Sequence, residues 1–319
     1  MKTIKESAVK KLKIGNLLRK YALLIVFIGI CAVFTISTDR FLTIGNLTDV
    51  VRSNSISGLL AVGLTFVILA GGIDLSTESV AALAGIAAGV LSNNPVLAIA
   101  AGLGIGLFFG LFNGILIVRT GVQPFIFTLG ASSMIRGIIM IFTRGISYYD
   151  INADFRQIAK GSIGPIPTPI LIFAIIMAIS YIMLNKGKYG RYVYAVGSNE
   201  EAARLSGIRT TRIKISTYLI SGVLSALGGI MLTARVAAAE SNAATGWSLD
   251  AISMVIIGGT SLRGGQGGIL YTLLGIFIIA VLNNGMVLMN VPSNYYQFVK
   301  GVLIIVAVLL DMNKIKKNA

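Results

Sequence analysis

The stretch PVLAIAAGLGIGLFFGLFNGILIV, Pro95 to Val118, decides the fold. It carries no ionisable side chain over 24 residues. As an α-helix it would rise about 36 Å, enough to cross the ~30 Å hydrocarbon core of a bilayer. Further apolar blocks fall at 21–38, 56–70, 76–92, 124–143, 167–185, 214–233, 249–258, 269–289 and 295–311. The pattern predicts an all-α polytopic membrane protein of about ten transmembrane helices, with the blocks at 56–70 and 249–258 short for a span. Composition agrees: the 319-residue chain is 55% hydrophobic and only 12% charged, where soluble domains carry about 25% charged residues.

The same arithmetic excludes several kinds of function. A net charge of +15 on a soluble chain would suggest nucleic acid, but here the basic residues lie between blocks of spanning length. With no histidine and one cysteine, Cys31, the chain offers no structural zinc set, no intrachain disulfide and no Ser/His or Cys/His nucleophile. No G-x-x-x-x-G-K-[ST] run occurs, so ATP binding through a P-loop is not expected. No catalytic residue and no metal ligand is assigned.

Residues 1–20 hold seven Lys/Arg and one Glu ahead of an apolar run from Tyr21 to Thr38. A secretory signal would have this polarity, but the run is long and lacks a small-x-small cleavage site. Ile30 before Cys31 also argues against a lipoprotein. The reading is an uncleaved first span with a cytoplasmic basic tail at 1–20. Ten crossings return the tail at 312–319 to the cytoplasm. Nineteen of the 27 Lys/Arg then lie inside and six outside, the asymmetry that sets orientation in cytoplasmic membranes. Arg136 and Lys300 lie within spans.

The two halves resemble each other. Ile56-Ser57-Gly58-Leu59-Leu60 matches Ile220-Ser221-Gly222-Val223-Leu224, and Gly72-Ile73-Asp74-Leu75-Ser76 echoes Gly246-Trp247-Ser248-Leu249-Asp250. Asn113-Gly114 aligns with Asn284-Gly285, and Arg136-Gly137-Ile138-Ile139 with Lys300-Gly301-Val302-Leu303. Spans two to five (about 56–143) therefore pair with spans seven to ten (about 214–311) in opposite topology. Inverted repeats place a pathway at their interface, near short, glycine-interrupted segments. Gly71-Gly72 and Gly258-Gly259 are such interruptions, as hinge, as pathway, or as sites where helices simply pack closely. Gly85, Gly89, Gly102, Gly106 and Gly110 read as packing glycines.

A cation inside a span needs a partner or a route for its stem to the interface. For Arg136 and Lys300 the candidate partners are Asp74, Glu78 and Asp250, and repeat symmetry suggests crossed pairs, with an acid of one half neutralising the cation of the other. Asn113, Thr128, Asn284, Tyr296 and Gln297 are candidate path-lining groups; each could instead bond between helices. The cytoplasmic connection 186–213 contains a short helix beginning near Ser198-Asn199, with Glu200 and Glu201 at its positive end and Gly207 at its close. With Ala202, Ala203, Arg204 and Leu205 between them, it reads as a knob for a partner's groove or as a helix lying on the membrane surface.

Four blocks carry a resemblance to a known family: Gly71-Gly72-Ile73-Asp74-Leu75-Ser76, Gly197 to Ile208, Gly258-Gly259-Thr260-Ser261-Leu262-Arg263-Gly264-Gly265, and Leu282-Asn283-Asn284-Gly285. Together they make the chain, from about 40 to 311, similar to the permease subunits of ribose-, xylose- and galactose-type ABC importers. The resemblance implies that the chain translocates a monosaccharide and is no enzyme itself. It implies a second permease copy, as a homodimer, and an extracytoplasmic sugar-binding protein meeting outer loops 39–55, 144–166 and 234–248. It further implies a separate ATPase subunit that binds ATP and Mg, with no cofactor in this chain, in the inner membrane of a prokaryote. The segment Asn199–Gly207 matches the family's ATPase-coupling helix. Thr77-Glu78 departs from the small apolar residue and glycine usual after the Asp-Leu-Ser run. A nucleoside, a branched-chain amino acid or a furanosyl signal remains an alternative cargo, and an ion-coupled carrier an alternative mechanism, with Asp74 or Glu78 as the ion site.

Overall fold

The computed structural model describes residues 23–292, 295–296, 298–303 and 305; the two tails and Gln297 lie outside the described residues. The helices are α1 (Leu23–Ser37), α2 (Ile44–Leu69), α3 (Thr77–Val90), α4 (Pro95–Thr120), α5 (Pro124–Thr143), α6 (Ala153–Lys160), α7 (Thr168–Asn185), α8 (Lys188–Ser198), α9 (Glu200–Leu205), α10 (Thr210–Val236), α11 (Trp247–Ile257) and α12 (Ile269–Leu288). Residues 298–303 are helical again. A two-strand antiparallel hairpin, β1 (Ser162–Ile163) and β2 (Ile166–Pro167), precedes α7. Among the described residues six helices, α2, α4, α5, α7, α10 and α12, are long and apolar enough to cross a membrane, with α1, α3 and α11 shorter apolar helices. The chain is an all-α polytopic membrane protein.

Local chemistry sets the helix ends. Asn94 caps α4 by accepting from Leu97 N at 3.2 Å, Pro95 supplies a first-turn residue with no N–H to satisfy, and Gly121 leaves the helix at φ +68°. One expected boundary is corrected. The block at 56–70 is not a short span but the second half of α2, which has 26 residues and starts at Ile44. Its polar start carries Asn46, Thr48, Asp49, Arg52, Ser53, Asn54 and Ser55, of which all but the exposed Asp49 are half-buried or buried, so hydropathy hides a helix that keeps most of these polar side chains against the protein. The outer connection 144–166 contains α6 and part of the hairpin, and the inner connection contains α8 besides the short helix; neither was expected.

The centre is formed by α2 and α10. Of the most apolar 18-residue window, 72% is buried in α2 and 61% in α10, against 28% in α4, α5 and α7, which form the periphery. Phe108, Ile126, Ile141 and Phe142 on α4 and α5 stay exposed, as suits a surface in contact with hydrocarbon. Lipid tails provide no hydrophobic drive between helices, so close backbone approach must supply the packing energy. A Cβ at Gly106 would stand 2.5 Å from the Gly222 carbonyl oxygen, one at Gly110 2.7 Å from that of Tyr218, and one at Gly85 2.8 Å from that of Gly229. Gly85, Gly106 and Gly110, three of the glycines expected to pack helices, therefore do so on α10.

Gly106→Val should destabilise the protein by about 1–3 kcal/mol through overpacking against α10. Gly104→Val, where nothing lies within 4 Å, should leave stability nearly unchanged. Thermal unfolding of the detergent-purified chain, read by loss of the monodisperse size-exclusion peak, measures both.

Candidate functional site

Two helices begin inside the protein, and both beginnings are polar. After α2 the chain turns at Gly71 (φ +82°) and passes so close to α10 that a Cβ on Gly72 would sit 2.5 Å from the Tyr218 hydroxyl. This brings in Asp74, 1% exposed. Its Oδ1 accepts from Ser76 N (3.0 Å) and Ser76 Oγ (2.6 Å), and its Oδ2 accepts from Ser221 Oγ of α10 (3.0 Å). Asn113 of α4 donates to Ser76 Oγ at 2.7 Å, and Thr128 of α5 accepts from Leu75 N at 3.0 Å. The carboxylate thus ties the break to α4, α5 and α10 through hydroxyls and amides. The expectation that Asp74 faces a cation is corrected: Ser76 N, Ser76 Oγ and Ser221 Oγ occupy its two oxygens in place of an ion pair. Asn113 and Thr128 are bound into this network.

The starts of α3 and α11 meet. Ser248 Oγ donates to Leu75 O (3.0 Å), accepts from Glu78 N (3.1 Å) and lies 2.9 Å from Thr77 Oγ1. Glu78 Oε2 accepts from Gly246 N (2.9 Å) and Ser248 N (3.2 Å), placing a carboxylate on the positive end of α11. Its Oε1 is 3.8 Å from Arg136 Nη2, and Arg136 donates to the carbonyls of Ala243 (3.0 Å) and Ser241 (3.4 Å). Thr77-Glu78, where the family pattern is left, is therefore a clasp that closes the segment leading into α11 onto α3 and α5. Lys300 Nζ lies 2.9 Å from both carboxylate oxygens of Asp250 on α11. The crossed pairing is thus overturned: each cation is neutralised by an acid of its own half, because α5 lies beside α3 and residue 300 beside α11.

Gly258 and Gly259 (φ +104°) turn the chain out of α11 into a glycine-rich loop, 258–268. This loop rests on two helix ends. Gly265 N donates to Leu69 O at the end of α2 (2.9 Å), and Tyr194 Oη of α8 donates to Gly267 O (3.0 Å). A Cβ at Gly197 would stand 2.7 Å from Gly265 N, so the last turn of α8 lies against the loop with no room for a side chain. α8 then passes through Asn199 into α9. Asn199 Oδ1 accepts from Ala202 N (2.9 Å), Gly207 ends the helix at φ +82°, and Glu200 pairs with Lys214 of α10. Arg204 donates Nε to Glu201 at 3.0 Å, which holds the Glu201 carboxyl below the usual carboxylate range. Glu200, Glu201, Ala202 and Arg204 are exposed, and Leu205 is 77% exposed. Ala203, expected on the docking face, is instead buried and anchors α9 to the core. That inward turn is invisible in six residues of mixed polarity.

Asn284 exchanges two amide hydrogen bonds with Asn46 of α2, at 3.0 and 2.7 Å. It also lines a cavity of about 350 Å³ between α2, α11 and α12, together with Asp49, Ser53, Ser57, Trp247, Asp250 and Asn283. The sequence had singled out Asn284 alone as a candidate lining residue here. The serines on α2 were hidden in the polar start of that helix. Tyr296 is half-buried and makes no side-chain hydrogen bond among the described residues.

Broken helices meeting start to start, charges held within the span region and a polar cavity beside them define a multi-pass membrane transport protein. The chain belongs to the family described as branched-chain amino acid transport system / permease component, whose model matches residues 46–308. It is 41% identical over 298 residues to the ribose import permease protein RbsC of Escherichia coli K12, covering 91% of this chain and 93% of that one. It is 40% identical over 307 residues to the ribose import permease of Bacillus subtilis strain 168, covering 95% and 93%. To the D-allose transport system permease AlsC of E. coli K12 it is 37% identical over 297 residues, covering 92% and 91%. No solved structure matches significantly.

A double-mutant cycle tests the pairing. Glu78→Gln and Arg136→Met should show a coupling energy of about 0.5–3 kcal/mol in unfolding, whereas Glu78→Gln with Lys300→Met should be additive within about 0.5 kcal/mol. Melting of the five purified variants, three single and two double, and the wild type distinguishes the two arrangements.

Proposed function

We propose that this chain is the membrane-spanning permease subunit of an ABC importer that carries a monosaccharide. The relatives named for ribose and D-allose transport, matched over nine-tenths of both chains, support the cargo class over the branched-chain amino acid in the family's description. Two copies would frame the path, an extracytoplasmic binding protein would deliver the sugar to the outer loops, and ATPase subunits binding ATP and Mg would dock at α9. The basic tails and the inner loop favour a prokaryotic inner membrane with both termini cytoplasmic. The similar pairs Glu78–Arg136 and Asp250–Lys300, each joining a helix that starts at the break to a following cation, support the inverted repeat of spans two to five and seven to ten.

The observation that carries this reading is the continuous contact from α9 to the break. α9 is exposed for docking yet rooted by Ala203, Asn199 and the Glu200–Lys214 pair. Through α8 and Gly197 it bears on the 258–268 loop, which is bonded to Leu69, two residues before the Gly71 turn that positions Asp74. A displacement of α9 by nucleotide-dependent closure of its partner would therefore reach both Gly71-Gly72 and Gly258-Gly259, the points at which the helices are interrupted. An ion-coupled carrier is not favoured, because both oxygens of Asp74 are engaged by hydroxyl and amide donors and those of Glu78 by backbone N–H groups and Arg136.

Leu205→Arg should abolish co-purification of the ATPase from native membranes while the melting temperature of the isolated chain stays within a degree or two. Ala203→Arg is the wrong probe, since it would disrupt the anchor itself. Recovery of stoichiometric ATPase with Leu205→Arg would refute docking at α9.

A further inference from the structure

The cavity between α2, α11 and α12 holds more polar capacity than the fold uses. Among the described residues, Asp49, Ser57, Trp247 and Asn283 make no side-chain hydrogen bond, although Ser57, Trp247 and Asn283 are half-buried there. Neighbouring polar groups are already engaged: Asn284 with Asn46, Ser53 with Arg235, and Asp250 with Lys300. Charge is largely balanced at the site as well. Asp250 is neutralised by Lys300, and Asp49 lies within electrostatic reach of Arg235. A cavity of about 350 Å³ is at the small end of ligand sites, suited to a single ring rather than to a peptide or nucleotide.

These features select a ligand chemistry. Ser57 and Asn283 each offer both donor and acceptor, the Asp49 carboxylate accepts, and the Trp247 indole offers an N–H donor and an apolar face. That set matches a neutral ring bearing several hydroxyls, each hydroxyl donating and accepting, with C–H groups to lie on the indole. Neither an apolar amino-acid side chain nor a fixed charge would satisfy it, because unpaired polar groups at a half-buried site penalise ligands that cannot bond to them.

We propose that this cavity is a sugar-binding waypoint within the permease, in which Ser57, Asn283 and Asp49 bond ring hydroxyls and Trp247 packs against the ring face. The inference rests on the monosaccharide reading above. Trp247 opens α11, beside the Gly246 and Ser248 N–H groups held by Glu78. Sugar seated on the indole would therefore touch the helix start that the Glu78–Arg136 clasp controls.

The test uses the complete importer, with its ATPase and binding protein, reconstituted in liposomes. Wild-type uptake of radiolabelled D-ribose, D-allose, D-xylose and L-arabinose first decides the cargo class; failure to transport any of them counts against the monosaccharide reading itself. With a transported sugar in hand, Asn283→Cys is introduced in a Cys31→Ser background, and its modification by a small neutral maleimide is timed during turnover. The sugar should slow labelling at least fivefold, whereas labelling of Thr48→Cys, on α2 and outside the set of residues lining the cavity, should not change. In parallel, Trp247→Ala and Ser57→Ala should each lower uptake at least fivefold while ATP hydrolysis stimulated by the loaded binding protein stays within twofold of wild type. Equal labelling of Asn283→Cys with and without sugar, or uptake and hydrolysis falling together in the alanine variants, would overturn the site.

Discussion

A helix that starts inside a membrane protein exposes unpaired N–H groups where no water is available to satisfy them, and that obligation organises this molecule. α3 and α11 both start in the interior, and each helix's opening turn lacks intrahelical acceptors. The protein solves the problem by turning the two starts toward each other. Ser248 bonds Leu75 O and Glu78 N, while Glu78 takes the N–H groups of Gly246 and Ser248. Asp74 and Thr128 take those of Ser76 and Leu75. Once these acidic groups are inside, the cations follow, since a buried carboxylate without compensation is costly.

α10 provides the wall against which this junction is held. Its small residues let α3 and α4 approach to backbone contact, and Ser221 on the same helix holds Asp74. The packing face and the polar face of α10 are thus built from one run of glycines and serines. That economy has a mechanical consequence: a shift of α10 against α4 disturbs the Asp74 network directly. The helix also receives Glu200 of α9 through Lys214, so the docking helix reaches the break by two routes, along α10 and through the glycine-rich loop.

The span pattern was legible because it needs only summed hydropathy over a length fixed by the bilayer, and α1, α3, α4, α5, α7, α10, α11 and α12 fall where the apolar blocks do. α2 was misjudged because summed hydropathy cannot tell a polar residue facing an interior cavity from one facing water. The ion pairs were misassigned for a related reason. Arg136 and Lys300 stood out as cations in apolar runs and Glu78 and Asp250 as acids near them, but which pairs form depends on which helices are neighbours, and no spacing along the chain states that. Ala203 and Leu205 are both apolar and two residues apart, so only the docking of α9 on the core could show that one anchors the helix and the other is displayed.

The sequence by itself determined that this chain lives in a membrane, where its apolar helices run apart from the polar start of α2, that its glycine pairs mark interruptions, and that Asn199 to Gly207 forms a capped helix. All of these follow from local composition and from hydrogen bonds within a few residues. Only the tertiary structure decided that the two interrupted helices begin against one another, that Asp74 is held by hydroxyls rather than by a cation, and that Ser57, Trp247 and Asn283 share a cavity. Those relations join residues up to 238 positions apart, as in the Asn46–Asn284 pair, and they are fixed by which helices pack against one another, a property of surfaces in contact rather than of any one segment.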